Sequence, residues 1–193
     1  GPHIALDDHV DDVVQLVETF DLESITLVGH SYGGRVITQA WTRLAQRVAQ
    51  LVYLDAHAPL GEASIPKATA HLETTDGMIP FSRFVPDAGE FGGAASVDWF
   101  MARTTPQSAA TLIPDFTVEL ASTLQTTYVA ATGEPNSPFA GYAAAAKADP
   151  TWHYHEVQSS HWLMVAQPDA VAAIILDPST AYYSTPPTSE DAQ

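Results

Sequence analysis

Cysteine is absent from all 193 residues, which excludes thiol nucleophiles, disulfides and thiolate metal sites and leaves the compartment open. Basic residues are scarce as well. Seven Lys and Arg stand against 23 Asp and Glu, for a formal charge of −16. That balance repels phosphate backbones and anionic lipid, so no nucleic-acid partner and no membrane partner is expected. No apolar run reaches the roughly 20 residues of a membrane span. Metal-ligand spacings of the H-E-x-x-H type are missing too, and neither a metal nor a cofactor is expected. Nothing at the amino end reads as a signal peptide, so the expected location is the cytoplasm.

What is present fits one domain with a real core: 46% of the residues are hydrophobic. Val10, Val13, Val14, Val17 and Phe20 recur at helical spacing from Asp7 to Phe20, with Asp7 as the expected cap. Ser24 to Val28 is a short β-branched run of the kind found in buried parallel strands. A glycine-flanked turn follows, then a helix over about 35–47 and a second buried strand, Leu51 to Leu54, ending at Asp55. Strand alternating with helix predicts an α/β fold with a mostly parallel central sheet flanked by helices.

The rhythm breaks over about 59–124, a Gly- and Pro-rich stretch with short helical pieces around Val97–Met101 and Gln107–Leu112. An insertion this long between strands reads as a lid. Strands resume at Thr127–Ala131 and Trp152–Val157, and a last helix runs from about Pro168 to Leu176. The domain therefore spans 1–176, and 177–193 reads as an extended or disordered tail.

Gly29-His30-Ser31-Tyr32-Gly33 fits G-x-S-x-G. The pentapeptide alone is a modest signal, but here an apolar strand enters it and an amphipathic helix leaves it. A serine on such a strained turn projects its hydroxyl clear of the backbone, and the amide of Tyr32 at the helix start can meet a developing oxyanion. The rival reading is a glycine-rich turn with an incidental serine. Serine requires a base, and eight histidines compete for that role. His161 sits in a loop after the last strand, where the order Ser, acid, His puts the base. His153 and His155 alternate along a strand and are expected to face solvent together. His57, close behind Asp55, is placed to line a pocket. His30 lies within the elbow, and His3, His9 and His71 have no catalytic context.

Three segments occur in one order: Leu27 to Gly34, Leu51 to Ala56 with Pro59, and Ser160 to Pro168. Together they resemble the small α/β-hydrolases that include plant methylesterases, hydroxynitrile lyases and many bacterial esterases, from about Leu6 to Leu176. The resemblance implies Ser31 as nucleophile and His161 as general base and acid. The lyases typically carry a lysine after that histidine, whereas this chain has Trp162, and His30 and Tyr32 are esterase-like. Two acids compete for the third place. Asp55 ends a buried strand, where an ionised group is costly unless paired. Glu134 follows the next strand, where most members of the fold put their acid. Asp55 is preferred.

The implied reaction is hydrolysis of a small carboxylic ester through an acyl-enzyme. His30, Trp99, Trp162 and Met164 are expected to line the substrate pocket, together with Ile79, Phe81, Phe84, Phe91, Phe100 and Met101, about half of which are expected to be ordinary packing. Cyanohydrin-lyase or other non-hydrolytic chemistry, and ligand binding without turnover, are the alternatives. The resembling fold begins with strands before the helix at Asp7, and these are missing here. The strand at 24–28 is therefore expected to expose an apolar edge, to be completed by a longer chain, a homo-oligomer or a second chain.

Overall fold

The chain opens on an apolar stripe that dictates its first helix. In the computed structural model, which describes residues 1–60, 74–112, 118–134 and 136–179, α1 runs Leu6–Thr19 and buries Leu6, Val10, Val14 and Val17. Asp7 is not the cap. Burial of Leu6 draws the helix start two residues earlier, Ala5 takes the capping position, and the Asp8 carboxylate accepts its backbone N–H.

The next three elements are β1 (Ile25–His30), α2 (Gly33–Leu44) and β2 (Val48–Leu54). After them comes a small antiparallel pair, β3 (Met78–Ile79) with β4 (Gln107–Ser108). Between and beyond these two strands lie a 3-10 turn at Phe81–Phe84, helix α3 (Ala94–Met101) and a second 3-10 turn at Ala109–Leu112. The helix expected over Gln107–Leu112 is thus a strand residue pair running into a tight turn. The chain then forms β5 (Gln125–Ala131), α4 (Ala140–Ala148), β6 (His153–Val157), α5 (Leu163–Ala166) and α6 (Pro168–Leu176).

The central sheet is parallel, in the order β1-β2-β5-β6. Alternation along its strands builds two cores. Leu51, Tyr53, Tyr128 and Ala130 face α1, α2 and α4, while Val52, Leu54, Val129, Ala131 and Val157 face Leu163 of α5 and Val171 and Ile174 of α6. Among the described residues β1 pairs with β2 alone, and Val28 on its outer face is 41% exposed. His155 departs from the expected solvent-facing position. It is 2% exposed, with Nε2 at 3.1 Å from the Pro178 carbonyl, because the chain after α6 folds back over the edge of β6. The rest of the expected tail, 180–193, lies outside the described residues, as do His71 and 61–73 of the insertion.

The crossover from β1 to α2 leaves no room for side chains at two glycines. A Cβ on Gly29 would fall 2.6 Å from the Gly33 carbonyl oxygen, and one on Gly34 would run into the His57 carbonyl oxygen. Gly34→Ala must therefore push α2 off the β2 exit. We expect it to lower stability by about 2 kcal/mol or more, within the usual range for overpacking, as measured by urea unfolding. An unchanged midpoint would show that the two segments separate freely.

Candidate active site

All the candidate groups gather at the carboxyl ends of the parallel strands, where the fold leaves its loops free of the sheet ladder. Ser31 follows β1 and has φ of 55°, a strained left-handed conformation for a non-glycine residue. Its amide donates to the Leu54 carbonyl at 3.3 Å, and its carbonyl accepts from the His57 amide at 3.1 Å. The turn is therefore stitched to the end of β2 from both sides. Tyr32 stands at the N-cap of α2, with its amide at the start of a 12-residue helix. Its hydroxyl lies 2.9 Å from His9 Nδ1, and burial pushes the phenol up to about 12 against the opposing effect of a Thr111 hydrogen bond.

Asp55, the residue after β2, also has a positive φ, 41°, and is 3% exposed. Its Oδ2 lies 2.7 Å from His161 Nδ1. Tyr128 fixes the backbone beside it: the Tyr128 hydroxyl donates to the Ala56 carbonyl at 3.0 Å and lies 3.2 Å from the Ala56 amide nitrogen. Burial, reinforced by the Asp55 charge, pushes the Tyr128 phenol upward, so it stays a hydroxyl. Glu134 meets a different atom of His161. Its Oε1 accepts from the His161 backbone N–H at 3.3 Å.

The His161 loop is held by further contacts that the sequence did not disclose. Both carboxylate oxygens of Glu90, from the insertion, accept from the Ser160 amide at 3.0 Å. Phe139 stacks on the His161 ring, with centroids 5.0 Å apart and planes 3° from parallel. His30 Nε2 donates to the His161 carbonyl at 2.8 Å, and its ring packs 4.3 Å from that of His161. Burial, then the neighbouring His161, lowers His30 to about 3, so it is a neutral ring.

Ser31 and His161 share the walls of two adjoining cavities, without a hydrogen bond between them in this structure. Such bonds commonly tighten only when substrate binds. One cavity, of about 310 Å³, is mostly apolar and takes Ile79, Phe81, Leu112, Phe139 and Trp162 into its lining. The other, about 640 Å³, opens past Val85, Asp87, Glu134 and Ser160.

Of the residues expected to line a pocket, His30 and Trp162 do so, as do Ile79 and Phe81. Trp99 and Met164 do not. Trp99 is 60% exposed on the outer face of α3, with the Arg103 guanidinium 4.2 Å above its ring. Met164 packs into the core between the sheet and α6. Phe91 and Phe100 stand behind the wall, supporting Trp162 at ring distances of 5.9 and 5.1 Å. The Phe84 side chain lies outside the described residues. Phe139 and Leu112 had no sequence signal beyond being apolar residues near loops, and Glu90 had none. Among the described residues, no group of three or more His, Asp or Glu is placed to hold a metal ion, and no helix is long and apolar enough to cross a membrane.

A strained serine between a parallel strand and a helix, beside an aspartate–histidine pair, defines a class. Residues 1–174 match the alpha/beta hydrolase family, and the chain belongs to it. It is an esterase-like hydrolase. It is 32% identical to the carbendazim hydrolyzing esterase of Nocardioides sp. (strain SG-4G), over 89% of this chain and 78% of that protein. In structure it resembles a pyrethroid hydrolase from Sphingobium faniae JZ-2, with a TM-score of 0.68 at 20% identity, covering 91% of this chain and 79% of that one. Tomato methylketone synthase I shares the fold with a TM-score of 0.70 at 16% identity, over 91% of this chain and 78% of the other.

The neutral His30 makes stability depend on pH. Its folded value near 3 lies below the unfolded 6.5, so the unfolded chain takes up a proton first. Its contribution is complete above about pH 6.5 and is lost as the pH falls toward 3. Between pH 7 and pH 5 that loss is about 2 kcal/mol. His30→Gln, which can still donate to the His161 carbonyl, should remove most of this part of the slope in urea melts at the two pH values. A slope identical to that of the parent protein would mean that the folded protein protonates His30 as readily as the unfolded chain does.

Proposed function

We propose that this protein is a serine hydrolase that cleaves small carboxylic esters through an acyl-enzyme intermediate. The observation that carries the reading is the 2.7 Å contact between His161 Nδ1 and Asp55 Oδ2, in the wall of the cavity that Ser31 enters from its strained turn. Asp55 holds the imidazole with Nδ1 protonated, which leaves Nε2 to take the Ser31 proton as the hydroxyl attacks the ester carbon. The Tyr32 amide faces the oxyanion of the tetrahedral intermediate. Collapse of that intermediate expels the alcohol, which leaves with the proton returned by His161, and water repeats the sequence to free the acid.

Glu134 has a different part in this scheme. Its carboxylate grips the backbone of the His161 loop, so it holds the base in place without touching the ring. The insertion between β2 and β5 acts as the lid, bringing Ile79, Phe81 and the rings behind Trp162 over the apolar cavity. Trp162 occupies the place of the lysine that serves cyanohydrin cleavage in the resembling lyases, which favours hydrolysis. The name of the Nocardioides relative makes carbendazim a compound to assay beside simple esters.

Ser31→Ala should abolish fluorophosphonate labelling and lower para-nitrophenyl ester turnover by roughly 10⁴-fold or more. Asp55→Asn should lower kcat by a comparable factor through the wrong imidazole tautomer, whereas Glu134→Gln should lose less than about tenfold. Near-full turnover in Asp55→Asn with collapse in Glu134→Gln would reverse the assignment of the acid. Labelling at Ser31 without any hydrolysis would make the protein a binding module.

A further inference from the structure

His57 belongs to no step of that scheme, yet it is built into the wall of the apolar cavity. Its backbone is immobilised by the hydrogen bond from its amide to the Ser31 carbonyl and by Gly34 packed on its own carbonyl. Its ring is held as firmly. Phe139 and Tyr142 meet it edge-on at 5.1 and 5.5 Å, and Nδ1 lies 3.3 Å from the Tyr142 hydroxyl. Nε2 makes no hydrogen bond among the described residues, although it is not sealed from the cavity. Burial, with Arg35 and His161 adding to it, lowers the ring to about 4, so at neutral pH it carries no charge. When the Tyr142 hydroxyl donates to Nδ1, the ring proton sits on Nε2. The result is a rigid, uncharged ring nitrogen on a mostly apolar cavity that Ser31, Gln107 and His161 also line.

We propose that His57 is a specificity-determining residue, donating one hydrogen bond from Nε2 to an acceptor atom on the apolar half of the ester. The preferred substrates are then esters whose ring or chain carries a heteroatom near the scissile carbonyl. A hydrocarbon group of the same shape fills the cavity but leaves the N–H desolvated and unmatched, which is where such sites gain their discrimination. This inference rests on the esterase reading above. A histidine serving only to pack would make no distinction between the two kinds of group.

The test uses the methyl esters of naphthoic acid and of the quinolinecarboxylic acids, which share a shape and differ by one ring nitrogen. For each nitrogen position, kcat/KM relative to the naphthoate is measured in the parent protein and in His57→Phe, which cancels intrinsic reactivity. At least one position should show a ratio about tenfold higher in the parent protein, mainly through KM. Tyr142→Phe, which releases the tautomer, should lower the same ratio. Ratios equal in parent and His57→Phe at every position overturn the proposal.

If His57→Phe does not fold, inhibition of the parent protein by quinolinecarboxamides and naphthamide replaces the comparison, and equal inhibition constants overturn the proposal. Fluorophosphonate labelling separates the two levels. Active, labelled protein with flat ratios removes only the role of His57, whereas unlabelled protein that turns over none of these esters removes the esterase reading itself.

Discussion

The close approach of the β1–α2 turn to the exit of β2 is the constraint on which the site depends. Gly34 has no side chain because the His57 backbone beyond β2 occupies that space, and Gly29 has none because the Gly33 carbonyl of the same turn does. Once they are in contact, Ser31 can exchange hydrogen bonds with Leu54 and His57, and these bonds hold it in a conformation that costs a non-glycine residue about 1–3 kcal/mol. Asp55 sits in the same tight junction, also at positive φ, with its amide bonded to the Val129 carbonyl of β5. Serine, aspartate and the neutral His57 are therefore fixed relative to one another by backbone contacts, before any side-chain preference acts.

The histidine arrives differently. Its loop has no sheet ladder to hold it, and carboxylates from three separate parts of the chain do that work. Asp55 takes the ring, Glu134 the His161 amide and Glu90 the Ser160 amide. Charged acceptors on backbone N–H groups form stronger bonds than neutral carbonyls, which suits a loop that must be rigid without being covered. A chain with 23 acids and seven bases thus employs some of its surplus charge as internal scaffolding rather than leaving it all on the surface. The two glutamates also explain why an acid near His161 is no guide by itself to which acid orients the imidazole. Among the described residues only Asp55 reaches Nδ1, while the two glutamates meet backbone amides.

Much of this was legible in the sequence because periodicity and steric exclusion are local. The stripe of Val10, Val14 and Val17, the apolar strand before Gly29 and the turn around Ser31 each follow from a few neighbouring residues. The elements that went unseen have no such signature. α4 is an alanine-rich segment in which Tyr142 and Ala146 face the core, so no hydrophobic contrast marks its inner face. Glu90 reaches Ser160 across 70 positions, and nothing in its neighbours announces a loop amide waiting there. His155 alternates correctly with His153, but its burial depends on chain that returns 23 residues later. Trp99 misled for the converse reason: an aromatic in a lid is a plausible pocket residue until the helix turns it outward, where Arg103 covers it instead.

The insertion also packs against the loop that carries His161. Phe81, Phe91 and Phe100 all pack on Trp162, the residue next to the histidine, at ring distances between 5.1 and 6.2 Å. This aromatic layer removes water from one side of the His161–Asp55 pair, and the stacked Phe139 ring covers His161 from another. In such surroundings an ion pair is stabilised more than it would be in water. Burial keeps the nearby His30 and His57 rings neutral. An insertion that only covered the cavity would not need to pack on the residue beside His161; under the esterase reading this packing would also lower the dielectric around the Asp55–His161 pair.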